Sequence, residues 1–129
     1  MANALKASAA YFGVVFAAGF LLGTIRTLAI VPLTGELAAV ALELPLMLLA
    51  SWIACGWALR RFDVAADSGT RLLMSASAFI LLMGAEVLVS TLIAGRSLSE
   101  HFALYHTAPA LLGLAGQLAY AAFPLVRLT

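Results

Sequence analysis

Charged residues are scarce in this chain of 129 residues. Lys and Arg together number seven and Asp and Glu number six, so charged side chains make up 10% of the sequence against 64% hydrophobic residues. A soluble domain has about 25% charged residues. So few charges cannot cover a surface that faces water. The mean hydropathy of +1.09 therefore indicates a protein of the lipid bilayer.

Cysteine and histidine are almost absent. The single cysteine, Cys55, excludes an internal disulfide, and we expect it to be a small packing residue. The two histidines, His101 and His106, lie close together near the end of the chain, which excludes a haem held between histidines of two facing helices. The chain has no HExxH motif, and its residues do not assemble into a Ser–His–acid set. The sequence therefore predicts no catalytic residues and no cofactor.

The sequence also has no large excess of positive or negative charge. The formal net charge is +1, and the basic residues form only small clusters. A surface that follows nucleic-acid phosphates needs many Lys and Arg side chains. We therefore predict no nucleic-acid partner.

Long apolar runs dominate the sequence. A bilayer core of about 30 Å requires roughly 20 apolar residues in a helix. The segments that meet this requirement are residues 9–31, 36–59, 71–94 and 98–126. The first segment is too long for a signal peptide and is followed by three more, so we expect a retained helix. The predicted fold is an all-α integral membrane protein, a single transmembrane domain over residues 1–129 with four helices in an antiparallel bundle.

Turn residues separate the predicted spans. The sequence from Pro32 to Gly35 predicts a tight turn between the first two. Ser97 and Glu100 have the spacing of a capping box, which predicts that a helix begins there. Pro109 lies inside span four and predicts a kink. Whether the residues before Pro109 are embedded in the bilayer or lie at its surface stays open.

The distribution of Lys and Arg predicts the orientation. One side of the membrane receives Lys6, Arg60, Arg61, Arg71 and Arg127. The other side receives only Arg96, because Arg26 falls inside a span. Basic residues are enriched on the cytoplasmic side. We therefore predict an inner (plasma) membrane protein with both termini and the loop 60–70 in the cytoplasm. Arg60, Arg61 and Arg71 are expected to contact lipid headgroups.

Three ionisable residues inside the spans, Arg26, Glu43 and Glu86, are the strongest functional signal. Such groups are costly in hydrocarbon and usually face a partner or a water-filled cavity. With a rise of about 1.5 Å per residue, all three lie roughly 8–12 Å below the same, outer boundary. Span four adds further polar side chains. The predicted outward-facing pocket consists of Arg26, Glu43, Glu86, His101, Tyr105, His106 and Gln117.

Three interpretations of this pocket remain open. One arginine cannot neutralise two carboxylates, so the second carboxyl must be protonated, paired with a histidine or hydrated; this favours a small transporter or channel for protons, cations or a small solute. In the second interpretation, Arg26, Glu43 and Glu86 form a structural ion-pair knot in an accessory subunit of a larger membrane complex. In the third, the acids and histidines form a membrane enzyme or a metal site on the outer face. We take the transporter or channel as the working hypothesis.

Small residues recur at a four-residue step in the first two spans. Gly19 and Gly23 form a GxxxG pair, and Ala50 and Ala54 follow the same step. Such stripes let helices approach closely in lipid. We expect them to pack within the bundle, and the alternative is a face for a homodimer or a larger membrane complex.

Overall fold

The computed structural model describes residues 2–127, and all its regular structure within that range is helical. The helices are α1 (Ala2–Ile25), α2 (Val31–Thr34), α3 (Glu36–Arg61), α4 (Ser68–Leu88), α5 (Leu98–Ala103) and α6 (Ala108–Val126). Wider π-helical turns, Arg26–Ile30 and Val89–Ile93, continue α1 and α4. A 3-10 turn, Leu104–His106, follows α5.

Four helical stretches are long and apolar enough to cross a membrane. They are Asn3–Thr34, Glu36–Arg61, Ser68–Ile93 and Ala108–Val126. Their outward faces carry large apolar side chains, and Leu28, Ile80 and Leu92 are each at least 68% exposed. Apolar surface of this extent is stable in lipid and not in water. The predicted four-span, all-α membrane fold is confirmed.

The four long helices form a ring in which each packs along two others. Helix α1 lies beside α3 and α4, and α6 lies beside the same two helices. Helices α3 and α4, although joined by the loop 62–67, therefore lie diagonally across the bundle. Consecutive spans are antiparallel as predicted, because each connection reverses the chain, and α1 runs parallel to α4.

The two ends of the bundle can be named by what lies there. The far end has the turns at Gly35 and Gly95, whose φ angles of 85° and 72° favour glycine. The break between the first two spans lies at Gly35 alone. Pro32 is part of α2, because a first-turn proline loses no helical hydrogen bond. The termini end has the beginning of α1, the loop 62–67 and the end of α6.

Span four is divided where a kink was predicted. Pro109 lies in the first turn of α6, which begins after Thr107, rather than inside a continuous helix. Thr107 has an extended backbone, and its hydroxyl accepts a hydrogen bond from the Ala110 N–H at 3.4 Å. The predicted span 98–126 is thus a short helix, α5, followed by a spanning helix, α6. The chain changes direction at a break before Pro109 rather than within a continuous helix, because proline fits the first turn of a helix as well as a kink.

Side-chain caps fix where two helices begin. The Ser97 hydroxyl accepts from the Glu100 N–H while the Glu100 carboxylate accepts from the Ser97 N–H, which confirms the predicted capping box. These hydrogen bonds lower the pKa of Glu100. Asp67 caps α4 by accepting from the N–H and the hydroxyl of Thr70, which lowers the pKa of the Asp67 carboxyl. Both caps use charged groups outside the spanning stretches.

The half of the bundle nearest the termini is closely packed. The rings of Tyr11 and Tyr120 stack with their centroids 4.5 Å apart, and both side chains are buried. The Tyr11 hydroxyl donates to the Tyr120 carbonyl at 2.6 Å, and the Tyr120 hydroxyl donates to the Ala78 carbonyl at 3.1 Å. These contacts join α1, α6 and α4 in one core. Cys55 is buried in the same core.

The buried side chain of Arg71 connects α4 to the end of α6 at the termini end. Its guanidinium donates to the carbonyls of Ala65, Pro124 and Arg127. The carbonyls at the end of a helix have no partner in the helix and carry partial negative charge, so they suit a cation. The side chain is only 2% exposed. The prediction that Arg71 contacts lipid headgroups was therefore wrong. Counting charges along the sequence does not show that an arginine of α4 binds the carbonyls at the end of α6.

Replacing Arg71 should destabilise the fold. We expect Arg71→Met to lower the free energy of unfolding by about 1–3 kcal/mol, because the carbonyls at the end of α6 lose their donor. Thermal unfolding followed by circular dichroism in detergent micelles measures this. Arg60→Met, at an exposed position of the same end, is the matched control and should change stability by about 0.5 kcal/mol or less. Equal effects of the two substitutions would contradict the capping role.

Candidate functional site

A cavity of about 710 Å³ occupies the far half of the bundle. All four spans contribute to its wall. Its floor is formed by Val15, Ser51, Leu82 and Tyr120, at the edge of the packed core. Exposed residues at the far end, such as Thr27 and Arg96, line its mouth. The cavity is therefore closed by the core on one side and reaches the surface on the other.

The structure brings six of the seven predicted pocket residues to this cavity. Those that line it are Arg26, Glu43, Glu86, His101, Tyr105 and Gln117. His106 does not line it and is exposed. The break before α6 explains this difference. His106 belongs to the 3-10 turn, so its direction does not follow from the helical period that the prediction assumed.

Arg26 and Glu43 form an ion pair between the first two spans. Arg26 Nη1 lies 3.0 Å from Glu43 Oε2, and the two side chains are 30% and 13% exposed. A charged side chain that is largely removed from water needs an opposite charge close by to offset the cost of desolvation. Each residue supplies that partner for the other. The pair leaves no net charge on the wall formed by α1 and α3 at this level.

Glu86 lies outside this pair. Its carboxylate accepts a hydrogen bond from the Gln117 amide, and the Tyr105 phenol lies close to the same carboxyl group. Within residues 2–127, no Lys, Arg or His comes within 4.0 Å of it, because Arg26–Glu43 is the only ion pair found there. The predicted three-residue knot is therefore wrong. Glu86 has neutral hydrogen-bond partners and no counter-charge.

Both π-helical turns lie next to these ionisable groups. One begins at Arg26, and the other, Val89–Ile93, begins three residues after Glu86. A π-turn adds one residue to a helical turn and rotates the side chains that follow. Such turns occur often at functional sites in helices. Arg26 and Ser90, which lie at the beginning of these turns, both line the cavity wall.

The mouth of the cavity carries a second polar group. Arg96 Nη1 donates to the Ser90 hydroxyl at 3.3 Å, and the Arg96 N–H donates to the Ser90 carbonyl at 3.0 Å. The side chain of His101 is 6% exposed, and its Nδ1 has no hydrogen-bond partner among the described residues. Arg96 and His101 thus add basic side chains to the far end of the cavity.

Sequence reasoning missed several lining residues. Ser90 and Arg96 line the wall, as do Phe16 and Phe20. One signal was available for Ser90, because it follows Glu86 by four residues and therefore shares its helix face. The two phenylalanines gave no signal, since apolar residues that face lipid and those that face a cavity look alike in a membrane sequence.

The residues do not form a metal centre. Within residues 2–127, no three side chains of His, Cys, Asp or Glu come together as metal ligands. His106 is exposed and is not among the lining residues, whereas His101 lines the cavity with the acids. The interpretation as a metal site or metal-dependent enzyme therefore loses its ligand set.

The small-residue faces have neighbours within the chain. A Cβ on Gly19 would lie 3.4 Å from Met47 of α3, and a Cβ on Gly23 would lie 3.7 Å from the Arg26 guanidinium. Ala54 is buried, and Ala50 is half-buried. These residues support packing of α1 against α3 and keep space near Arg26. A homodimer or a larger complex through them stays a prediction.

Substitutions of Arg26 and of Glu43 should lower the stability of the fold, and their effects should not add. We expect Arg26→Gln and Glu43→Gln each to lower the free energy of unfolding by about 0.6–2 kcal/mol, the range for polar contacts between membrane helices. The double variant should lose less than the sum, because the two residues act on each other. Thermal unfolding of the four proteins in micelles gives this cycle. Strictly additive losses would contradict the pairing.

No protein family, curated protein or solved structure matches this chain in the comparisons. The chemistry of its candidate site is therefore argued from its own residues.

Proposed function

We propose that this membrane protein is a small transporter or channel-type protein that takes up protons, cations or a small solute through the cavity of its far half. The observation that carries the proposal is Glu86. A carboxyl group without a counter-charge, in a cavity that reaches one surface, can exchange a proton or hold a cation. A purely structural polar contact does not need such a group.

The shape of the cavity supports transport over simple adhesion. Exposed polar residues line its mouth, and residues of the packed core form its floor. A transporter in one of its states has a binding site near the middle of the membrane that is open to one side and closed to the other. Opening the opposite side requires the core around Tyr11 and Tyr120 to separate.

The charge distribution supports an orientation. The termini end has Lys6, Arg60, Arg61, Arg71 and Arg127, and the far end has Arg96. With the basic end in the cytoplasm of a plasma membrane, the cavity opens to the extracytoplasmic side. A transporter in this state would receive its ligand from outside.

Cysteine labelling tests this orientation. We expect a membrane-impermeant maleimide to label Ser97→Cys in intact cells and to label Ala66→Cys only after the membrane is opened. Both positions are exposed, at opposite ends of the bundle. The parent chain is the control, because its Cys55 is buried. Labelling of Ala66→Cys in intact cells would reverse the orientation.

Reconstitution in liposomes tests the transport itself. Vesicles with an acidic interior are diluted into a neutral buffer with Na⁺ or K⁺, and a trapped dye reports the interior pH. We expect the protein to raise the interior pH, and Glu86→Gln to slow this change by about tenfold, because glutamine neither exchanges a proton nor attracts a cation.

Glu100→Gln is the matched control for this assay. Glu100 is exposed and lies outside the cavity lining, and glutamine can replace glutamate in a capping box. Its flux should equal that of the parent chain. Equal flux in Glu86→Gln, or no flux from a folded parent chain, would contradict the proposal.

One observation favours the alternative of an accessory subunit. A second cavity of about 400 Å³ lies between α1 and α3 in the packed half, and only apolar residues line it: Val14, Ala50, Ile53, Ala54 and Trp57. A helix of another protein in the membrane would fit against such a surface. Co-purification only with a larger complex, together with rapid loss of the isolated chain, would favour this alternative.

A further inference from the structure

The wall of the main cavity is largely apolar and aromatic around its few charges. Phe16 and Phe20 of α1 line one side, with Met47 of α3 nearby, and Tyr105 lies close to Glu86. A ring face attracts a cation, and a methionine sulfur adapts to irregular shapes. A small hydrated ion needs only the carboxylate and makes no use of the apolar wall. They suit a ligand with an apolar body.

The charges of the wall leave an excess of one sign. Glu36, Glu43 and Glu86 line the cavity together with Arg26 and Arg96. Three carboxylates and two guanidinium groups give one excess negative charge when all are ionised. The pairing of Arg26 with Glu43 leaves Glu36, Glu86 and Arg96. Glu36 begins α3 and Arg96 lies at the mouth, so Glu86 is the remaining charged group deeper in the cavity. This position is midway between the mouth and the floor and is next to the aromatic wall.

We propose that the cavity is a binding site for amphipathic monovalent organic cations, with Glu86 as the counter-charge and the wall of Phe16, Phe20, Met47 and Tyr105 as the apolar contact. The volume of about 710 Å³ lies within the range of about 300–1,000 Å³ that is typical of sites for drug-sized ligands. This proposal rests on the proposed transport function and names its substrate class.

Other ligand classes fit the cavity less well. An anion beside Glu86 would meet its charge without compensation, because Glu43 already occupies the Arg26 guanidinium and Arg96 lies at the mouth. A divalent metal ion prefers several carboxylate or histidine ligands, and no cluster of three occurs within the described range. An uncharged apolar molecule or a lipid chain would fill the volume but would leave the Glu86 charge without a partner.

Equilibrium dialysis with tetraphenylphosphonium tests the proposal. The purified full-length protein is used in uncharged maltoside micelles, and protein-free micelles give the background of partitioning. We expect saturable binding to the parent chain and binding at least about tenfold weaker in Glu86→Gln, as expected for the loss of a charge interaction in a poorly hydrated site. Tetraphenylborate, which has nearly the same shape and the opposite charge, should show no saturable binding.

Two further variants keep the test decisive if Glu86→Gln folds poorly. Glu86→Asp retains the charge and should retain saturable binding of tetraphenylphosphonium. Glu100→Gln removes a carboxylate outside the cavity and should bind as the parent chain does. Circular dichroism melting of each variant shows that it is folded. Equal binding in the parent chain and in folded Glu86→Gln would overturn the proposal, as would saturable binding of tetraphenylborate.

The outcomes separate this proposal from the general function. Proton exchange in liposomes that depends on Glu86, without binding of tetraphenylphosphonium, would overturn the ligand class and leave transport standing. Binding that depends on Glu86, in a protein that moves no ion across liposomes, would support the site and overturn transport.

Discussion

The ion pair between Arg26 and Glu43 determines the electrostatics of the far half of the molecule. Desolvation makes an unpaired arginine or glutamate costly between two helices, and Arg26 and Glu43 offset that cost for each other at 3.0 Å. By satisfying each other, the two residues fix the level at which α1 and α3 meet. The pairing also means that Arg26 already has a carboxylate partner other than Glu86. The character of the cavity as an acidic site in an apolar wall follows from this pairing.

Most of the fold could be predicted from the sequence, because every span must be long enough and apolar enough to cross the bilayer. Residues 36–61 and 68–93 differ from the predicted spans by only a few positions. The capping box at Ser97 was also readable, since its geometry is local. Pro109 was not, because the same residue is compatible with the interior and with the first turn of a helix. The role of Arg71 depends on a neighbouring helix end, which no local pattern contains.

The sequence predicted the depth of the ionisable residues in the membrane but not which carboxyl group pairs with Arg26. The rise of a helix is constant, so counting residues placed Arg26, Glu43 and Glu86 at one level, and all three line one cavity. Which carboxyl takes the arginine depends on how the helices are rotated about their axes. The π-turns at Arg26 and after Glu86 alter that rotation. His106 shows the same limit, because a 3-10 turn and a break precede α6.

The ring order of the helices divides the polar contacts into two sets. Spans one and two form one hairpin, which contains the Arg26–Glu43 pair, and spans three and four form another, which contains the contact between Glu86 and Gln117. Among the described residues, the polar contacts that join the hairpins are those of Tyr11 with Tyr120 and of Arg127 with Trp52, both at the termini end. A separation of the two hairpins at the far end would therefore break no hydrogen bond or ion pair of the described residues. The contact between Tyr11 and Tyr120 at the termini end would hold the hairpins together. Each hairpin therefore contains one of the two polar contacts of the far half within itself.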